Sequence, residues 1–298
     1  MPELGRLLTA MVTPFDSEGG VDYIQARRLA LALLASGSDG LVVAGTTGEG
    51  PVLSREEKLR LFAEVKAAVG HRGAVIANVG TYNTAESVEM AAQAETLGMD
   101  GLLLTVPYYN RPSQEGLFLH FKTIARASSL PCILYNIPSR TGTNMAAETT
   151  LRLAQVRNII AIKEASGDMV QIGKIIQGAP RRFLVYSGND EDTFAIMSLG
   201  GHGVISVASH LVGKQMQKMI DLVESGQARR AAQAHLKLMP LFKGMFVVSN
   251  PIPIKYAVGK AGINAGAPRL PLLPPDAKTA QGIDDLLAHY TLDLRAKR

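Results

Sequence analysis

The chain has 298 residues, 47% of them hydrophobic and 19% charged, which is typical of a globular enzyme and long enough for one α/β barrel or two average domains. The formal net charge is +5, but the basic residues are scattered and form no stripe interleaved with aromatic side chains, which argues against a nucleic-acid partner. The single cysteine, Cys132, excludes an intrachain disulfide, and its apolar context indicates a buried structural thiol. The N-terminus has no signal-peptide pattern and no apolar run is long enough to span a bilayer, so we expect a cytoplasmic protein without membrane association.

Eight short apolar runs predict buried β-strands. In chain order they are Leu7–Thr13, Gly40–Ala44, Ala74–Val79, Gly101–Val106, Cys132–Asn136, Ile159–Glu164, Phe183–Ser187 and Gly203–Val207. Amphipathic runs with a period of about 3.6 residues lie between them and predict helices, including Tyr23–Ser36, Ser54–Val69, Ala85–Leu97, Gln114–Ala127, Thr149–Ala154 and Met169–Gln177. Ser54 and Glu57 have the spacing of a capping box, and Gly37, Gly70 and Gly98 lie where helices should end.

This alternation predicts an α/β fold, a (β/α)8 TIM barrel over residues 1–224. A doubly wound open sheet is the alternative, but eight strands and the lack of a Gly-x-Gly-x-x-Gly motif at the first helix argue against it. The strand pattern stops after residue 224, and the remaining chain predicts helices at Gln227–Phe242, Pro253–Ala261 and Ala277–His289. We therefore expect residues 225–298 to form a C-terminal helical appendage packed on the barrel.

Lys163 is an unusual residue because it lies inside the sixth apolar run, Ile159–Glu164. A buried ammonium is costly unless it is paired, and such a lysine tends to lose its proton and become a nucleophile toward carbonyl carbons. The ordinary alternative is an ion pair with a carboxylate, or a strand end from which the amine reaches water.

Further polar groups follow other predicted strands. They are Thr46 and Thr47 after the second strand, Tyr108 and Tyr109 after the fourth, Tyr135 and Arg140 at the end of the fifth, Asp190 after the seventh and Ser209 after the eighth. In a barrel the carboxyl ends of the strands form one rim, which is where the chemistry of this fold takes place. The sequence therefore predicts that the hydroxyls, the phenols and the arginine among these groups converge with Lys163 on a single rim.

Other kinds of site fit the sequence less well. There is no His-rich or multi-carboxylate pattern suited to a catalytic metal, and His202 and His210 have no serine in an elbow motif. Asp190, Glu191 and Asp192 are explained by the acidic first turn of a helix. The segment 200–203 is glycine-rich, but it precedes the eighth strand and so predicts a tight turn at the opposite end of the barrel rather than a phosphate site. The chemistry that fits these residues best is amine catalysis on a keto acid. The hydroxyls can relay protons, and Arg140 can bind a carboxylate.

The whole chain resembles the pyruvate-dependent class I aldolase superfamily, which includes dihydrodipicolinate synthase and N-acetylneuraminate lyase. The resemblance is carried by residues 45–49 (Gly-Thr-Thr-Gly-Glu), 135–138 (Tyr-Asn-Ile-Pro) and 162–164 (Ile-Lys-Glu). The paired tyrosines in residues 107–116 and the arginine in residues 138–142 are similar to the synthase branch, whereas the sugar-acid lyases generally lack both.

This resemblance implies a role for each matching residue. Lys163 would form the Schiff base, Tyr135, Thr46 and Tyr109 a proton relay, and Thr46 with Thr47 the contacts to the pyruvate carboxylate. Arg140 would bind the carboxylate of the second substrate, the backbone at Gly188 and Ile205 would line the pyruvate pocket, Tyr108 would pack across a subunit interface, and Tyr109 would come from a neighbouring subunit. Taken singly, the tyrosines could equally be core or interface aromatics, the threonines turn caps, and Arg140 a surface ion pair.

The reaction implied is condensation of pyruvate with L-aspartate 4-semialdehyde to 4-hydroxy-tetrahydrodipicolinate, in diaminopimelate and lysine biosynthesis. It needs no cofactor beyond the covalent Lys163–pyruvate imine, and the family is usually a homotetramer built from tight dimers. The alternatives are a related aldolase acting on a 2-keto-3-deoxy sugar acid or sialic acid, and a pyruvate-binding barrel without turnover, against which the complete relay argues.

Many bacterial relatives are inhibited by lysine at the dimer interface. Glu86 and Tyr108 match that site, whereas Gly50, Pro51, Arg55, Lys58 and Tyr82 do not match the strongly inhibited enzymes. Because Arg55 and Lys58 are cationic, they should disfavour a cationic effector, and we expect weak or absent lysine feedback.

Overall fold

A closed barrel of eight parallel strands forms the centre of the molecule, in a computed structural model that describes residues 4–295. The strands are β1 Leu7–Ala10, β2 Gly40–Val43, β3 Ala74–Asn78, β4 Gly101–Thr105, β5 Cys132–Asn136, β6 Ile159–Glu164, β7 Leu184–Ser187 and β8 Gly203–Ser206. They pair in sequence order, and β1 closes the barrel by pairing with β8, Leu8 opposite Ile205. The predicted (β/α)8 fold is confirmed.

Helices connect the strands and surround the barrel. They are α1 Tyr23–Ala35, α2 Arg55–Val69, α3 Thr84–Thr96, α4 Gln114–Arg126, α5 Pro138–Thr141, α6 Ala147–Leu153, α7 Met169–Gly178, α8 Thr193–Ser198 and α9 Ser209–Glu224. The capping box at α2 is confirmed, because the Ser54 hydroxyl accepts from the Glu57 amide at 3.1 Å and the Glu57 carboxylate accepts from the Ser54 amide at 2.9 Å. Gly37, Gly70 and Gly98 all have positive φ just after helices, as expected of residues that end them.

The strands bury side chains on both of their faces. One cluster lies between the strands and the helices, and a second, smaller cluster fills the barrel interior. Because side chains alternate along a strand, Ile133 and Tyr135 of β5 both point inward, as does Ile205 of β8. Cys132, one residue from Ile133, is buried as predicted, and burial raises the pKa of its thiol to about 12.

The predicted tight turn at the amino end of β8 is also confirmed. Gly200 has φ +104°, and the His202 amide donates to the Val185 carbonyl at 2.7 Å, directly before β8 begins at Gly203. This segment lies at the opposite end of the barrel from the carboxyl ends of the strands.

Up to residue 295, three helices follow α9: α10 Ala228–Gly244, α11 Ile252–Lys260 and α12 Ala277–Leu287. The Pro-rich link between α11 and α12 returns to the barrel, where the Phe15 amide donates to the Ala265 carbonyl at 3.0 Å and the Arg269 guanidinium donates to the Gly19 carbonyl at 2.8 Å. The division into regions 1–224 and 225–298 stays a prediction, and its outer limits, residues 1–3 and 296–298, lie outside the described residues. Between residues 4 and 295, none of the helices has the length and apolar character needed to cross a bilayer.

Candidate active site

Lys163 lies near the carboxyl end of β6 and is only 5% exposed. It pairs in register with Tyr135 of β5, and its Nζ lies 4.3 Å from the centroid of the Tyr135 ring. No carboxylate of residues 4–295 forms an ion pair with it. Burial lowers the pKa of Lys163 to about 8, and the charge of Arg140 lowers it further, while Asp190 acts in the opposite direction. A neutral amine is therefore well populated near pH 8, and neither the paired nor the solvent-reaching alternative describes this lysine.

Tyr135 projects into the barrel beside Lys163. Its hydroxyl is hydrogen-bonded to Thr46, and burial raises its pKa to about 12, although the charge of Arg140 and the Thr46 bond lower it. The phenol therefore keeps its proton at neutral pH and can both donate and accept a hydrogen bond. The sequence prediction placed Tyr135, Thr46 and Lys163 together, and the structure brings them together.

Thr46 and Thr47 lie in a tight turn after β2. The Glu49 amide donates to the Thr46 carbonyl at 3.1 Å, and the Gly50 amide donates to the Gly45 carbonyl at 3.0 Å. The Thr47 hydroxyl is buried and accepts a hydrogen bond from Nδ2 of Asn250 at 2.9 Å. A turn of this kind offers hydroxyls and amides to a carboxylate.

Arg140 lies on α5, a helix of four residues that the sequence analysis did not predict. Its side chain is exposed, but its charge affects the pKa of both Lys163 and Tyr135. The segment after α5 is fixed by Asn136, whose Oδ1 accepts from the Met145 amide at 3.0 Å. Because the Arg140 side chain is exposed, its guanidinium can approach a ligand, and its charge still lowers the pKa of the buried Lys163 amine.

Gly188 and Ile205 occupy different parts of the site. A Cβ at Gly188 would lie 3.2 Å from Cε of Lys163 and 2.6 Å from Cβ of Ala165, so only glycine leaves room beside the amine. Ile205 is fully buried in the barrel interior.

The two tyrosines after β4 lie apart from this group. Tyr108 is half-buried and packs edge-on against Tyr82 at 5.1 Å between ring centroids, and burial raises its pKa. Tyr109 is 91% exposed and has φ +75°, an unusual conformation for a tyrosine. Within the described part of this single chain, no hydrogen bond links Tyr109 to Thr46 or Tyr135.

Two site residues were not predicted, and the interpretation of a third was incomplete. Asp190 was explained as one acid of a helix first turn, which is incomplete: it is buried, its Oδ2 accepts from the amides of Val207 at 3.2 Å and Ala208 at 2.8 Å, and its charge raises the pKa of Lys163. Its position directly after β7 was the available signal. Asn250 and Lys255 were missed because their contacts lie more than 200 residues away in sequence.

Among residues 4–295, no group of three or more His, Cys, Asp or Glu side chains is placed to bind a metal ion.

A buried amine with a lowered pKa, at the carboxyl rim of a (β/α)8 barrel and beside a tyrosine–threonine pair, is the arrangement suited to an aldolase-type enzyme acting on a keto substrate. A model of the dihydrodipicolinate synthetase family matches residues 3–290. The 4-hydroxy-tetrahydrodipicolinate synthase of Dehalococcoides mccartyi is 57% identical over 297 residues, covering 100% of both chains. The chain belongs to the dihydrodipicolinate synthetase family.

Solved structures agree with this assignment. The dihydrodipicolinate synthase of Bacillus anthracis is 39% identical, with a TM-score of 0.96 over 98% of this chain and 100% of that one. The enzyme of Cyanidioschyzon merolae, solved with lysine bound, is 45% identical, with a TM-score of 0.95 over 96% of this chain and 98% of that one. The protein is therefore a lyase of the class I aldolase type that condenses pyruvate in the diaminopimelate and lysine pathway, and the sugar-acid alternative is set aside.

Proposed function

We propose that Lys163 forms an imine with pyruvate and that the second substrate is L-aspartate 4-semialdehyde, giving 4-hydroxy-tetrahydrodipicolinate. The observation that supports this most directly is the buried Lys163 amine, whose pKa is lowered to about 8 beside the Tyr135–Thr46 hydrogen bond. The amine adds to the keto carbon and water leaves. Loss of a methyl proton then gives an enamine, whose carbon attacks the aldehyde carbon. The amino group of the semialdehyde finally attacks the imine carbon, closes the ring and releases Lys163.

Proton transfer in these steps is assigned to the hydroxyls of Tyr135, Thr46 and Tyr109. Tyr135 is protonated at neutral pH and hydrogen-bonded to Thr46, as a relay requires. Tyr109 completes the relay only if it is supplied by a second copy of the chain. Its 91% exposure and positive φ are compatible with that role, and we propose a homotetramer built from tight dimers in which Tyr108 also packs at the interface.

Substrate carboxylates are assigned to two groups of donors. Thr46 and Thr47 bind the carboxylate of pyruvate, with backbone at Gly188 and Ile205 lining its pocket. Arg140 binds the carboxylate of the semialdehyde, for which its exposed, unhindered guanidinium is suited. The covalent imine supplies the electron sink itself, so the proposed reaction uses no cofactor. We propose that it takes place in the cytoplasm, with the other steps of this biosynthesis.

A side-by-side assay tests the choice of second substrate. Pyruvate is supplied with aspartate semialdehyde in one reaction, and the reverse cleavage of 2-keto-3-deoxy sugar acids and of sialic acid is followed in the others. We expect turnover with the semialdehyde to exceed the rest by several orders of magnitude. Comparable or faster cleavage of a sugar acid would contradict the proposal.

A further inference from the structure

The turn that carries Thr46 and Thr47 is conformationally strained. Ala44 and Glu49, which lie on either side of it, have φ of +55° and +54°, in the left-handed region that non-glycine residues rarely occupy. The turn is also tightly wound, because a Cβ at Gly50 would lie only 2.1 Å from the Ala44 carbonyl oxygen. Such a conformation persists only where surrounding contacts fix it.

Contacts from the C-terminal appendage fix this turn at Glu49. Lys255 of α11 donates from Nζ to Oε1 of Glu49 at 2.6 Å, and the main-chain amide of Arg269 donates to Oε2 at 2.9 Å. The side chains of Lys255 and Glu49 are only 1% and 2% exposed. The Lys255 ammonium also lies 3.8 Å from the centroid of the Phe15 ring, which favours its charged form.

A second contact from the same segment reaches Thr47. Asn250 directly precedes the turn into α11, and its Nδ2 donates to Oγ1 of Thr47 at 2.9 Å. Because Oγ1 accepts this bond, the Thr47 hydroxyl proton is left to donate elsewhere. Residues 250–255 therefore fix both the backbone and one hydroxyl of the turn.

We propose that Lys255 is a positioning residue: its buried ion pair with Glu49 holds the strained turn so that Thr47 and the turn amides meet the carboxylate of pyruvate. This inference rests on the carboxylate-binding role proposed above for Thr46 and Thr47. A buried ion pair adds little net stability compared with an apolar pair, so its presence here is better explained by the geometry it imposes. Lys255 is a second buried lysine near the site, but its amine is bound to Glu49 and so is not the nucleophile.

The test uses trapping of the imine by borohydride as a function of the concentration of pyruvate and of methyl pyruvate, which has no carboxylate. In Lys255→Met, we expect half-saturation by pyruvate to rise about 10- to 100-fold, since a hydrogen bond to a charged group contributes about 1.5–3 kcal/mol. Half-saturation by methyl pyruvate should change less than about twofold, so the preference for pyruvate falls. Lys260→Met is the matched control, because Lys260 lies on the same helix in an exposed ion pair with Asp284 and should leave both values unchanged.

A second variant serves as a control for misfolding. Because Lys255→Met leaves the Glu49 charge buried and unpaired, the double variant Glu49→Gln with Lys255→Met, which carries no buried charge, is measured beside it. We expect the double variant to fold with the wild-type circular dichroism spectrum and to show the same loss of preference for pyruvate. An equal weakening of both ligands, or no change in either, in a folded variant would overturn the positioning role. Absence of trapping in the wild type would instead refute the proposed imine itself.

Discussion

The charges around Lys163 predict how imine formation depends on pH. Only the neutral amine attacks pyruvate, so the rate of imine formation should rise with pH and level off above about 8, where burial places the pKa of Lys163. Asp190 raises that pKa, so Asp190→Asn should lower it and shift the rise to lower pH. Arg140 lowers the pKa, so Arg140→Met should shift the rise to higher pH.

These shifts are measured from the initial rate of borohydride trapping at saturating pyruvate between pH 6 and 10. The control for Asp190→Asn is Asp192→Asn, in the same 3-10 turn, because Asp192 accepts from Asn189 and does not influence Lys163. Shifts of the same sign in Asp190→Asn and Arg140→Met would contradict this electrostatic description of the site.

Substitution of Arg140 should affect use of the semialdehyde far more than imine formation with pyruvate. Replacing it with methionine removes a guanidinium that we assign to the semialdehyde carboxylate, so kcat/KM for the semialdehyde should fall about 10- to 100-fold. At a pH above the shifted pKa, trapping of pyruvate should be nearly unchanged. Arg152→Met, which breaks an exposed ion pair with Glu115, is the control. An equal loss in both steps would count against this assignment.

Single residues were predictable where they broke a local pattern. Lys163 was found because an ammonium within an apolar strand needs an explanation, and Arg140 was found by its motif. Asn250 and Lys255 follow no such rule, because an asparagine before a proline and a lysine in a short helix are ordinary in sequence. Only the fold brings them to Thr47 and Glu49.

Among the elements, the strands were predicted almost to the residue, with β5 and β6 matching at both ends. The first strand was predicted to run to Thr13, but the ladder ends at Ala10 because the following residues turn over the barrel rim. Met11 and Val12 remain buried beyond the end of β1: the Met11 amide still donates to the Val42 carbonyl of β2 at 3.0 Å, and the Val12 amide donates to Nε2 of His210 at 3.1 Å. Helix α5 was missed because four residues beginning with proline cannot show helical periodicity.

A small cavity beside α2, β3 and α3 bears on the response of the enzyme to lysine. Its volume is about 60 Å³, and its lining includes Leu53, Arg55, Lys58, Thr81 and Glu86. Burial lowers the pKa of Lys58, and Glu86 is the carboxylate that opposes this effect, so a further cation entering the cavity meets two positive side chains. We therefore expect no inhibition by L-lysine below millimolar concentration.

Inhibition is measured from initial rates with both substrates and increasing L-lysine. If the two cations are the cause, the double variant Arg55→Ala with Lys58→Ala should become more sensitive to lysine than the wild type. Half-inhibition of the wild-type enzyme at sub-millimolar lysine would contradict the expectation.

At the scale of the whole molecule, the proposed relay requires a second chain. If Tyr109 acts in a neighbouring subunit, Lys163→Ala and Tyr109→Phe should each be nearly inactive alone but complement each other when they are mixed and allowed to exchange subunits. A mixed dimer then contains one site with an intact Lys163 and an intact Tyr109, and random pairing restores about a quarter of wild-type activity. Activity is assayed after mild dissociation and reassociation, with each variant treated alone as the control. A mixture no more active than its components would place Tyr109 outside the partner's site.

The overall architecture was predictable because eight repeats of strand and helix leave few alternatives to a closed barrel. The position of the appendage was not, since three helices and a Pro-rich link have no periodic relation to the barrel. Arg269 illustrates this: it lies in the link, yet it forms an ion pair with Glu57 of α2 at 2.5 Å and packs on the Phe15 ring. Contacts of this kind depend on the completed fold.

The central claim is that Lys163 is the residue that becomes bonded to pyruvate. Two lysines among residues 4–295 are buried, Lys163 and Lys255, and burial lowers the pKa of each to about 8, so acidity alone does not distinguish them. Geometry does, because Lys255 is bonded to Glu49 at 2.6 Å whereas Lys163 lies beside Tyr135. The enzyme is treated with pyruvate and borohydride, digested, and mapped by mass spectrometry. We predict a single label on Lys163 that is lost in Lys163→Ala; a label on Lys255, or labelling that persists in Lys163→Ala, would contradict the account.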